Sequence, residues 1–169
     1  MSYTLRIETN KTPPLFTARQ LSAETNRAWH SLTNTCTDLH LRMSKEGLGI
    51  AQDYTFDPTT EEVFRVLMHN QEMTEFTLIY GYDQWTGENR ASLSDLKVDK
   101  KSDLSALALA LAVALAWTIN SDVIEDSSGV WTRGDNIVIS SDLPLLIIDA
   151  AKNPASAVDM LYRKSQKIT

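Results

Sequence analysis

Between Asp103 and Asn120 lie sixteen residues, Leu104 to Ile119, with no charge among them. Within this run Leu107, Leu109, Leu111, Val113, Leu115 and Trp117 alternate with alanines, a spacing that on its surface reads as a strand. The alternation is of size, however, and not of polarity. Alanine and leucine are the strongest helix formers, and Ser102 or Asp103 supplies an N-cap. A helix apolar on every side must be buried on every side. It is also shorter than the ~20 residues a bilayer span needs. The chain therefore has to build a fold around a central helix, with a sheet on one side and other helices on the rest.

The remaining segments supply those layers. Tyr3, Leu5 and Ile7 alternate with Thr4, Arg6 and Glu8, as in a half-buried strand. Thr17 and Gln20 have capping-box spacing and open a helix with Leu21, Thr25, Ala28, Trp29 and Leu32 on one face. Leu39, Leu41 and Met43 alternate in a second strand that ends at Gly47 and Gly49. Thr59 and Glu62 repeat the capping-box spacing and predict a short helix carrying Val63, Phe64, Leu67 and Met68. Phe76 to Tyr82 is the clearest strand, with Phe76, Leu78, Tyr80 and Tyr82 on one face. Asp83 to Asp99 reads as a polar segment with a brief strand near Leu96-Lys97-Val98. After the central helix come a strand at Asp122–Glu125, a turn at Asp126–Gly129, a return strand at Val130–Thr132 and a strand from Asn136. An apolar stretch, Leu143–Ile148, and a last helix capped at Asn153-Pro154 complete the chain. The expected class is α+β: a single domain over residues 1–169, its mostly antiparallel sheet covered by helices. Long early loops leave parallel pairing open.

Charge narrows the function classes. The chain has 16 basic and 22 acidic residues, net −6. A general nucleic-acid binder would carry the opposite balance to displace counterions from phosphates. From Ser102 to Asp159 only Arg133 and Lys152 stand against eight acids, so this stretch alone equals the net charge of the chain. Such acidity keeps a protein in solution, and it also suits a basic protein partner. The lone cysteine, Cys36, excludes an intramolecular disulfide, and the first residues resemble no signal peptide. A cytoplasmic protein without membrane attachment is the expectation.

No motif names a reaction. His30, His40 and His69 lie outside any metal-ligand spacing, and the six glycines form neither a phosphate loop nor a dinucleotide fingerprint. No metal or cofactor is expected. His30 and Cys36 are a conceivable base and nucleophile, but a structural thiol is the simpler reading. Glu61-Glu62 and Glu125-Asp126 are adjacent in sequence and point apart, so turns and caps explain them better than paired-acid catalysis. More suggestive are Trp85, set in the polar stretch Asp83-Gln-Trp-Thr-Gly-Glu88, and Trp131, beside a Ser-Ser-Gly turn. Tryptophan in polar surroundings is a usual anchor of protein interfaces. The expected partner-binding residues are Asp83, Trp85, Glu88, Asp122, Glu125, Asp126, Trp131 and Asp135.

The stretch Leu107-Ala-Leu-Ala-Leu-Ala-Val-Ala-Leu-Ala-Trp117, running into Ser121-Asp-Val-Ile-Glu-Asp-Ser-Ser-Gly-Val-Trp131, resembles small α+β immunity proteins of bacterial contact-dependent or type VI toxin systems. The resemblance covers one helix and one hairpin and assigns no binding residue. It implies a non-enzymatic cytosolic domain that neutralises a cognate toxin by tight binding, with a basic toxin domain as partner. A small enzyme or ligand-binding domain is the alternative. A deep pocket around His40 or Cys36 would favour that alternative, and a shallow acidic face bearing Trp85 and Trp131 the inhibitor.

Overall fold

A computed structural model describes residues 3–9, 12–33, 37–69, 73–96, 103–125 and 136–138. Their element order is β1 (Tyr3–Ile7), β2 (Phe16–Thr17), α1 (Ala18–Thr33), β3 (His40–Lys45), β4 (Leu48–Gly49), β5 (Thr55–Phe56), β6 (Glu62–His69), β7 (Met73–Asp83), β8 (Glu88–Leu96), α2 (Asp103–Thr118), β9 (Val123–Glu125) and β10 (Asn136–Val138). Eight strands form one sheet in the order β10-β9-β1-β8-β7-β6-β3-β4, and β2 pairs with β5 apart from it. Every pairing among the described residues is antiparallel. With two helices among the described residues and more strand than helix, the fold is α+β, as the sequence implied.

The helices form where local chemistry favours them. Gln20 Oε1 accepts from the Thr17 backbone N–H at 2.8 Å, and Thr17 Oγ1 accepts from the Gln20 N–H at 3.2 Å, so the expected capping box closes α1 reciprocally. Leu21, Thr25, Ala28 and Trp29 are buried along one face of α1. Every residue of α2 from Leu107 to Ala116 is at most 2% exposed. α2 touches β1, β8 and β9 on one side and α1 on another. Each fully buried leucine contributes about 2–3 kcal/mol, which makes α2 the pillar of the core. Just past its end at Thr118, Asn120 takes a φ of 59° that lets the Ser121 N–H reach back to Ala116 O at 2.8 Å.

The segment after Thr59 corrects one expectation. Glu62–His69 is a strand, not a helix. Asp57 Oδ1 accepts from the Thr59 N–H and hydroxyl, so the cap-like threonine closes a tight turn instead. Phe64, Val66 and Met68 are buried while Val63, Arg65 and His69 are exposed, a period of two that outcompetes the helical spacing of Val63, Phe64, Leu67 and Met68. Phe64 then joins Phe16, Tyr54, Phe56 and Tyr80 in an aromatic cluster, with Phe16 and Phe56 stacked at 4.6 Å. The polar stretch after Asp83 supplies a second correction: Glu88–Leu96 is a long interior strand between β7 and β1. The expected turn at Asp126–Gly129, the strand at Val130–Thr132, the apolar stretch Leu143–Ile148 and the last helix lie outside the described residues.

Candidate functional site

β7 and β8 form a hairpin closed by the pair Asp83↔Glu88, leaving Gln84-Trp85-Thr86-Gly87 as its tip. Gly87 has a φ of 73° and donates its N–H to Asp83 O at 2.8 Å, which tightens the loop in a conformation that favours glycine. Asp83 holds the base. Its side chain is 7% exposed. Oδ1 accepts from the Trp85 N–H at 2.9 Å, and Oδ2 accepts from Arg90 Nη2 at 2.7 Å. The Trp85 N–H is the largest influence holding the Asp83 carboxyl below the ordinary aspartate range; Thr86 and Arg90 add to it, against the opposing effect of burial. Arg90 also reaches Glu61 Oε2 at 3.6 Å.

This lock places Trp85 in solvent, where it is 98% exposed. Two other tryptophans are used differently. Trp29 is buried in the core, and the Arg27 guanidinium sits 3.7 Å above the ring of half-buried Trp117. Trp85 is the one described tryptophan that the fold leaves uncovered. Beside it, Tyr82 is also partly exposed.

The register carries other acidic residues to the same end of the sheet. Arg6 pairs with Ser92 on β8 and with Glu125 on β9, so Glu8, Asn89 and Asp122 all lie beyond those pairs, toward the hairpin tip. Thr9 Oγ1 donates to Asn89 O at 2.8 Å, and the Glu8 N–H donates to Val123 O at 3.0 Å, which ties the three strand ends together. A cleft of about 430 Å³ opens here, lined by Glu8, Thr9, Thr12 to Pro14 and Ile119 to Asp122. Among the described residues, neither Glu8 nor Asp122 makes a salt bridge. The last carbonyls of α2 add their partial negative charge at this point.

Of the expected site residues, Asp83, Glu88 and Glu125 lie on β7, β8 and β9, Trp85 on the β7–β8 turn and Asp122 just before β9, in three roles. Asp83 is a buried brace. Glu88 and Glu125 share Arg6, at 3.4 and 4.0 Å, and are partly neutralised. Trp85 and Asp122 face outward. Asp126, Trp131 and Asp135 lie outside the described residues, as does Cys36; His30 Nε2 lies 2.9 Å from Asp38 Oδ1. Glu8 escaped the sequence reading, which placed it only on the polar side of a strand. Its position two residues past Arg6 on β1 was the available signal.

His40 lines a separate groove with Arg42, Leu67 and His69. Among the described residues no three His, Cys, Asp or Glu side chains group as metal ligands, and no helix is long and apolar enough to cross a membrane. No family model, curated protein or solved structure matches the chain.

Proposed function

We propose that this protein is an immunity-type inhibitor that docks a basic protein domain against the acidic end of its sheet, with Trp85 as the anchor. The observation that carries the reading is Trp85 itself, a 98% exposed tryptophan on a hairpin whose base is fixed by a buried carboxylate. A tryptophan left in water by the fold keeps its burial free energy available for a partner, and a rigid, exposed aromatic loses little entropy on binding and fills a pocket. The neighbouring cleft supplies charge complementary to lysine and arginine through Glu8 and Asp122. The partner class, a basic toxin domain neutralised inside the producing cell, follows from the resemblance of the α2–β9 stretch to immunity proteins.

The test is protection. Cells expressing the toxin domain encoded beside this gene are co-transformed with the wild-type protein or with Trp85→Ala. Wild type is expected to restore growth, and Trp85→Ala to restore it poorly while accumulating to the same level. Growth arrest with both, or full rescue by both, would overturn the assignment of the partner or of the anchor respectively.

A further inference from the structure

On β3 and β6, away from the hairpin, His40 stands directly opposite His69, and Arg42 directly opposite Leu67. Side chains of directly opposed strand residues share a face, with Cβ atoms about 5 Å apart, so the two imidazoles and the guanidinium form one patch. They line a groove of about 500 Å³ with Leu67 among them. That volume falls within the ~300–1,000 Å³ of small-molecule sites. His40, Arg42 and His69 are all exposed.

Arg6, Arg27, Arg65 and Arg90 each sit against a carboxylate. Among the described residues Arg19 and Arg42 do not, and Arg42 is the one that lines this groove. A guanidinium offers five donors in a planar fork matched to phosphate, and each neutral imidazole still offers one N–H. Glu75, directly opposite Leu67 on β7, is engaged by Arg65 at 3.4 Å, which leaves an arginine and two imidazoles in this concavity to favour an anion. We propose that this groove binds a small organic phosphate. Arg42 takes the phosphate oxygens bidentately, His40 and His69 donate to the remaining oxygens, and Leu67 contacts the apolar part of the ligand.

The experiment follows backbone and arginine Nε signals of the full chain by two-dimensional NMR while inorganic pyrophosphate, and separately adenosine monophosphate, is added. Saturable shifts confined to His40, Arg42, Leu67, His69 and their neighbours are expected. Arg42→Gln should weaken binding about tenfold or more, and His69→Gln by a smaller factor. Arg19→Gln, which removes another arginine lying outside the groove, should leave binding unchanged. All three positions are exposed, so these variants keep the fold, and a thermal melt verifies it. Shifts scattered over every surface cation, or an equal loss in Arg19→Gln, would overturn the proposal. So would co-sedimentation with phosphatidic acid vesicles in the absence of any response to the soluble probes.

Discussion

Replacing Gly81 by alanine should destabilise the protein by about 2–4 kcal/mol, and the structure shows where that loss arises. Gly81 lies on β7 with a φ of 129°, and the chain at Thr60–Glu61 crosses directly over it. A Cβ there would lie 2.1 Å from Thr60 O and 2.7 Å from Glu61 Cα, both backbone atoms that cannot rotate away. Holding a residue with a side chain in this part of conformational space costs about 1–3 kcal/mol. Moving the crossing segment also breaks the hydrogen bond from the Glu61 N–H to Tyr82 O, 3.2 Å long, for about 1 kcal/mol more. In a chain of this size each kcal/mol shifts the melting temperature by about 2–4 °C, so Gly81→Ala should melt about 10 °C below wild type. Circular dichroism melts of Gly81→Ala and Gly49→Ala provide the assay. Gly49 has open space around its Cβ position and an ordinary φ, so its variant should stay close to wild type. A Gly81→Ala protein that melts with wild type would refute the close crossing. It would also refute the route by which Glu61 reaches Arg90 and, through it, the hairpin base.

Leu111→Asp should abolish cooperative folding: an unpaired charge at a fully buried position costs about 3–5 kcal/mol, a large share of the ~5–15 kcal/mol typical of domains. A soluble, cooperatively melting variant would place α2 at the periphery. Asp83→Asn tests the hairpin brace through pH. Because the folded-state carboxyl of Asp83 is held below its ordinary value of 3.8, its stabilisation is fully present above that value and disappears as pH falls through the lower, folded-state one. Asp83→Asn should therefore be less stable than wild type at neutral pH, with the difference shrinking below about pH 4. Urea midpoints measured from pH 2.5 to 7 decide this, and a gap that stays constant would assign the loss to geometry instead of charge.

The elements that were legible in the sequence are those with one dominant signal. α2 was fixed by an uncharged alanine-leucine run, α1 by the Thr17–Gln20 box, and β1 and β7 by alternation. β6 was not, because Thr59 and Glu62 mimic a cap while Phe64, Val66 and Met68 follow a strand period; pairing with both β3 and β7 decides between them. β8 was missed for a different reason. Asn89, Ser92, Ser94 and Asp95 look like a loop, and Ser92 is buried by its position inside the sheet and not by its own hydrophobicity. At the site, Trp85 was visible as a tryptophan among polar residues. The pairing of Arg6 with Glu88 was not, since 82 residues separate them in the chain.

The most direct measurement of the central claim is the dissociation rate of the complex with the proposed toxin partner, compared for wild type, Trp85→Ala and Asp122→Lys at low and high salt. An anchor and a rim charge affect different rates. Trp85→Ala should dissociate at least about thirtyfold faster at either salt concentration, corresponding to about 2 kcal/mol or more. Asp122→Lys should chiefly slow association, and that effect should fade as salt rises. A Trp85→Ala protein that dissociates at the wild-type rate would contradict the account and move the interface off the β7–β8 hairpin.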